Sequence, residues 1–146
     1  MIVPDVNLLL YAIDNSSPQH QRARAWLNAI MSGTETVAFS WTVLLGFIRL
    51  VTNPRVFAKP LDAASAIEIA SSWLAQPNAV PVNPTDRHLS VLKDLLEPIG
   101  TAGNLTTDAH LAALAVEHGA EIHSADSDFA RFPGVTWVNP LAMTGS

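Results

Sequence analysis

Four of the thirteen acids stand where carboxylates can do chemistry. Asp5 follows the short apolar run Ile2-Val3 and Pro4, Asp108 opens an alanine-rich helical stretch, and Asp126 and Asp128 come directly after Glu121-Ile122-His123. Each occupies a strand exit or a helix start beside apolar sequence, whereas the other acids read as solvated surface. At Asp108 the positive end of a helix dipole favours an ionised carboxylate. Its neighbours at i+3, i+4 and i+7, Leu111, Ala112 and Ala115, make it the head of the face that packs inward. Taken singly, Asp108 reads as readily as a plain helix-start carboxylate, and Asp126 as a turn residue. Taken together, three carboxylates on one dry edge repel one another, which raises their pKa values or costs stability unless a cation compensates. Mg²⁺ or Mn²⁺ suits oxygen-only ligation and is commonly shared with substrate phosphates. The chain has no cysteine, and its five histidines show neither H-x-x-x-H nor H-x-x-E-H spacing, so zinc is the weaker choice.

Asn7 and Asn104 are candidates for orienting a ligand or a metal water, with turn and cap roles equally open. Thr42, Gly46 and Arg49 form a narrow polar or small stripe on a helix otherwise built from Trp41, Val43, Leu44, Leu45, Phe47, Ile48 and Leu50. The stripe reads Arg49 as a buried cation that needs an anion: a carboxylate in a structural pairing, the stronger expectation, or a substrate phosphate. Gly46 in mid-helix costs roughly 1 kcal/mol relative to alanine, which implies that something packs against it or needs space there.

The elements that must position these residues alternate. Ile2-Val3 reads as a strand turning into a helix around Leu8 to Tyr11. Helical spacing follows from Pro18 to Met31, then a strand at Val37 to Phe39 and an apolar helix from Trp41 to Thr52. Leu61 to Leu74 is an amphipathic helix and Ala79 to Val82 a strand. Thr85-Asp86 can cap a helix running to Leu96, and Gly100 to Asn104 is loop. Thr106-Thr107 can cap the helix that ends near Gly119. Glu121 to His123 and Val135 to Val138 are the last strands. Such alternation predicts an α/β domain with a mostly parallel central sheet flanked by helices. Ligands of such sheets bind beyond the carboxyl ends of the strands, where Asp5 and Asp126 both fall.

One domain accounts for 146 residues. We take residues 1–142 as the domain and 143–146 as a C-terminal tail. Hydrophobic residues make up 49% and charged residues 14%, which excludes a disordered chain. No apolar stretch is long enough for a membrane span and the start lacks a signal-like pattern, so a soluble, cytoplasmic protein is expected. The net charge of −5 argues against a basic surface that grips nucleic acid non-specifically, though not against nucleic acid as substrate. Arg22, Arg24, Arg49 and Arg55 are the candidates to meet a phosphate backbone, the first two being better read as surface charge. Four tryptophans, Trp26, Trp41, Trp73 and Trp137, beside long apolar helices predict exposed apolar surface covered by a second copy.

The segments Asp5-Val6-Asn7-Leu8-Leu9, Asp108 to Ala115 and Ser124-Ala125-Asp126-Ser127-Asp128-Phe129, in this order and spacing, resemble the PIN-domain ribonucleases, above all their VapC-type toxin branch. The resemblance spans nearly the whole chain. It implies that Asp5 and Asp108 are metal ligands, with Asp126 a third acid of the catalytic site. The stretch Trp41 to Arg49 with Thr52-Asn53-Pro54 is similar to one toxin subgroup. Where the wider family carries a glutamate this chain has Gly46, so a ligand is missing or is supplied by another acid such as Asp128. The implied activity is Mg²⁺- or Mn²⁺-dependent endoribonuclease, hydrolysing RNA phosphodiester bonds with a metal-activated water. The implied partners are RNA, a small cognate antitoxin and a second copy of the chain. Two rivals remain. One is a haloacid-dehalogenase-like phosphatase with Asp5 as nucleophile, against which Asn7 stands where that class carries an acid. The other is a PIN-like module that binds RNA or protein without cutting.

Overall fold

The computed structural model describes residues 1–142, and the expected tail at 143–146 lies outside the described residues. The chain runs β1 (Ile2–Pro4), α1 (Val6–Ile13), α2 (His20–Met31), β2 (Val37–Ser40), α3 (Trp41–Val51), α4 (Ala63–Leu74), β3 (Ala79–Val82), α5 (His88–Leu96), α6 (Thr106–His118), β4 (Glu121–His123) and β5 (Trp137–Val138). Short 3₁₀ turns at Gly103–Leu105 and Ser127–Arg131 complete it.

The central strands are apolar and buried on both faces, as parallel strands covered by helices must be. All five pair in parallel, in the order β3-β2-β1-β4-β5. The chain adds strands outward from β1 to β3, then returns to add β4 and β5 on the other side. The direction of winding therefore reverses between β1 and β4, and the crevice beyond their carboxyl ends is the natural binding place of the fold. Register puts Pro4 opposite His123, and the Asp5 amide donates to the His123 carbonyl at 2.9 Å. Asp5 and Ser124 are thus neighbours at the mouth of that crevice.

The core joins Val3, Leu8, Leu9, Phe39, Phe47, Leu114, Ile122 and Phe129 across the sheet. Trp73 closes one side, stacked on Phe39 at 6.0 Å and edge-on to Phe47 at 4.7 Å. In α6, Ala109, Ala112, Ala113 and Ala115 are all buried, so small side chains let this helix lie close to its neighbours. Gly119 ends it in the left-handed conformation, φ 65°, that glycine adopts at least cost.

Two expected caps are used otherwise. The turn at Gly103–Leu105 runs directly into α6, so Leu105 stands at the cap and the Thr106 hydroxyl donates back to the Gly103 carbonyl. The Thr85 hydroxyl donates to Glu117 and accepts from the Arg87 amide, and α5 starts only at His88.

Candidate metal centre

Asp5 is both the exit of β1 and the N-cap of α1. Its side chain is buried, and both oxygens are engaged: Oδ1 accepts from the Val6 amide and Oδ2 from the Ser124 hydroxyl, each at 2.7 Å. Ser124 has no exposed surface and is a hub. Its oxygen also accepts from Asn7 Nδ2 at 3.3 Å and from the Asp126 amide at 3.0 Å. Asn7 in turn accepts from the Ala125 amide through Oδ1. Asn7 therefore ties α1 to the exit of β4.

Asp126 caps the 3₁₀ turn Ser127–Arg131 by accepting from the Asp128 amide at 2.9 Å, which folds Asp128 back beside it. The first turn of α6 brings Asp108 to the same place. Carboxylate oxygens of Asp108, Asp126 and Asp128 lie within 4.8 Å of one another, and all three side chains are partly exposed. Asp5 stands beside this trio rather than within it. An all-oxygen donor set open to solvent fits a hard divalent cation.

The electrostatics report the crowding. Burial, then the charges of Asp5, Asp126 and Asp128, push the Asp108 carboxyl from 3.8 up to about 6. Burial also raises Asp5, and the hydrogen bonds from Ser124 and Val6 only partly offset it. Both shifts mean that an ionised carboxylate is disfavoured here, first by burial and then by its acidic neighbours.

Beside the acids opens a cleft of about 450 Å³, lined by Asp5 and Val6, by Thr42, Val43, Leu45, Gly46, Arg49 and Leu50 of α3, and by Thr107, Asp108 and Leu111. Arg49 is exposed on its rim and is not the buried cation expected from the stripe. No carboxylate lies within ion-pair distance of it among the described residues, so the structural pairing is overturned. The reason is that α3 buries only Val43, Leu44, Phe47 and Val51, leaving Trp41 and Leu45 exposed despite their apolar character. Asn104 is exposed on the Gly103–Leu105 turn and makes no side-chain hydrogen bond among the described residues, so nothing joins it to the acids. Arg22 is tied to the Leu141 carbonyl, and neither it, Arg24 nor Arg55 lines the cleft. Of the tryptophans, Trp73 is buried, while Trp26 and Trp137 are half-buried with their indole N–H groups bonded to His123 Nδ1 and the Ser124 carbonyl. Only Trp41 has the exposure expected of an interface.

Sequence reasoning missed Ser124 and a second polar cluster. On α6, His110 and Glu117 are seven residues apart and share a face, and His88 of α5 bridges them, with Nδ1 to Glu117 and Nε2 to His110 Nδ1 at 2.8 Å. Burial alone would raise Glu117, but hydrogen bonds from Thr85 and His88 outweigh it and hold the carboxyl below its usual range. The i, i+7 spacing of His110 and Glu117 was the available signal.

A PIN domain family model matches residues 2–135. Ribonuclease VapC37 of Mycobacterium tuberculosis is 49% identical over 143 residues, covering 98% of this chain and 99% of its own. Ribonuclease VapC33 of the same organism is 47% identical over 141 residues, 97% of this chain and 99% of its own. Among solved structures, VapBC2 from Rickettsia felis, bound to a DNA fragment from its promoter, superposes with a TM-score of 0.69 at 20% identity, covering 95% of this chain and 98% of that one. VapC20 of M. tuberculosis, described as a sarcin-ricin loop cleaving toxin, gives 0.57 at 17% identity, covering 93% and 99%. These last two carry the fold alone. The match over the acid-bearing segments displaces the phosphatase alternative, and the chain belongs to the PIN-domain family, in the branch of the VapC ribonucleases.

Proposed function

We propose that this protein is an endoribonuclease that hydrolyses RNA phosphodiester bonds, serving as the toxin of a toxin–antitoxin pair. The observation that carries it is the meeting of Asp108, Asp126 and Asp128 beside Asp5 at the β1/β4 crevice, in a chain whose full-length relatives are ribonucleases. Asp108, Asp126 and Asp128 would hold Mg²⁺ or Mn²⁺, with Asp5 completing the negative field. Bound there, such an ion acidifies a water for attack on phosphorus and offsets charge on the phosphate oxygens.

The chain's own residues do the rest. Ser124 and the Val6 amide fix both oxygens of Asp5, so the carboxylate cannot turn away from the crevice. Asn7 holds Ser124, and through it the loop that carries Asp126. The Asp108 carboxyl is raised to about 6, and near neutral pH it is mostly ionised and available. No side chain need act as nucleophile. A small antitoxin restrains the enzyme in the cytoplasm, and a second copy covers part of the exposed apolar surface, to which Trp41, Val56 and Ile67 contribute.

The test is RNA cleavage by purified protein with Mg²⁺ or Mn²⁺, comparing wild type with Asp5→Asn and Asp108→Asn. Both substitutions are nearly isosteric and remove one negative charge. Each should retain the fold and lose cleavage by about two orders of magnitude or more, in the range seen when one transition-state contact is removed. Wild-type protein that binds RNA without cutting it, under any divalent cation, would favour the non-catalytic module instead.

A further inference from the structure

We infer that the cleft between α3 and α6 is a nucleotide subsite: it seats the RNA residue next to the scissile phosphate, with Arg49 taking that residue's outer phosphate. This rests on the nuclease reading above. Asp5 and Asp108 form one end of the cleft, so a phosphate held at the acids leaves its neighbouring nucleoside at the cleft mouth. The walls suit a base. Val6, Val43, Leu45, Leu50 and Leu111 are apolar, and Thr42 and Thr107 offer hydroxyls that can meet base edges. The volume, about 450 Å³, falls within the range of roughly 300–1,000 Å³ usual for small-molecule sites.

Gly46 makes this space, and nothing else on α3 requires a glycine there. Its φ is ordinary, and an added Cβ would meet only Val6 Cγ2, at 3.7 Å, an unstrained contact. A residue that weakens its helix without serving a turn or a close backbone approach leaves cleft volume as its effect. Arg49 lies three residues on, on the same side. With 8 basic against 13 acidic residues, an exposed guanidinium without a carboxylate partner among the described residues, on the rim of an acid-lined cleft, is placed for an anion from outside. An RNA chain brings the next phosphate there. A protein partner would have to bring an apolar side chain and an anion at this spacing, which every nucleotide of an RNA chain carries as base and phosphate.

The experiment measures kcat and KM on short single-stranded RNAs that differ only in the bases flanking the cleaved bond, for wild type, Gly46→Leu, Arg49→Gln and Arg49→Lys. It also measures binding of a labelled, phosphorothioate-linked single-stranded RNA pool across a salt series, with Mg²⁺ present. Gly46→Leu should raise KM about tenfold and flatten the preference among flanking bases, with kcat changed far less and the melting temperature not lowered. Arg49→Gln should weaken binding of the pool and reduce its logarithmic salt slope by about 0.7, one phosphate contact on a single strand. Arg49→Lys should restore that slope. If wild type cleaves RNA and the variants match it in KM, base preference and salt slope, the subsite is rejected while the nuclease reading stands. If wild type does not cleave, that reading fails, and the binding series still decides whether RNA occupies the cleft. Unchanged RNA parameters in variants that lose a co-purifying protein would reject the subsite and give the cleft to a protein partner.

Discussion

Asp108 is most comfortable in this fold with its proton on, unless a cation replaces it. Folded, it keeps the proton up to about 6, whereas the unfolded chain releases it near 3.8. The folded state therefore binds the proton more tightly, and the stability linked to this group is full below 3.8 and lost as pH rises through about 6. Asp5 shifts the same way, and Glu117, held low, acts in the opposite sense at more acid pH. Metal-free protein should thus show a falling melting temperature between about pH 4.5 and 6, and Asp108→Asn, with no charge to acquire, should flatten the fall. Parallel profiles would mean that neither burial nor the neighbouring acids raise the Asp108 carboxyl in the folded protein. Ser124 gives a second test at this scale. Ser124→Ala strips Asp5 Oδ2 of its donor and loosens Asn7 and the Asp126 amide, so unfolding in urea should show a loss of about 1.5–3 kcal/mol, the usual worth of a hydrogen bond to a charged group. RNA cleavage should fall with it, and unchanged stability and cleavage would remove Ser124 from the positioning role. The four aspartates were legible because strand exits and helix starts announce them in sequence. Ser124 was not, since its role exists only once β1 pairs with β4 and brings Asp5 within reach. Arg49 was misplaced because the apolar content of α3 exceeds what the helix buries.

At the scale of elements, alternation of strand and helix was readable throughout, and so was the parallel sheet. Sheet order was not. Nothing local distinguishes a β4 that extends the row beyond β3 from one that returns to pair with β1, and only the second puts Asp126 beside Asp5. Helix starts were the least legible, for a physical reason: the turn at Gly103–Leu105 runs straight into α6 and leaves Thr106 bonded back to Gly103, while Glu117 holds Thr85 short of α5, which starts only at His88. The helix α3 carries its own prediction. Gly46 has a helical conformation and room for a methyl group 3.7 Å from Val6 Cγ2. Gly46→Ala should therefore stabilise the protein by about 0.5–1 kcal/mol, read as a raised melting temperature. A destabilised variant would show that α3 needs the glycine for packing and not for open space.

For the whole molecule, an excess of negative charge, net −5, and a fold that gathers part of it at one crevice make the folded state a better ligand for cations than the unfolded chain. Among the described residues no helix is long and apolar enough to cross a membrane. A cation that binds only the folded cluster stabilises by mass action, about 2.7 kcal/mol at a hundred times its dissociation constant. Millimolar Mg²⁺ or Mn²⁺ should therefore raise the melting temperature, and the rise should grow from pH 5 to pH 7 because the ion no longer competes with the proton on Asp108. The metal-induced rise thereby opposes the pH trend of the metal-free protein, which a general salt effect would not do. Asp108→Asn should lose most of the shift at pH 7 by losing one anionic ligand. A shift with Zn²⁺ but none with Mg²⁺ or Mn²⁺ would replace the hard-cation assignment and point to the imidazoles, of which His88 and His110 already lie together on the flank of α6. A shift that survives Asp108→Asn intact would place the ion elsewhere on the acidic surface, and the convergence of Asp108, Asp126 and Asp128 would then be a cost the fold bears without a metal to relieve it.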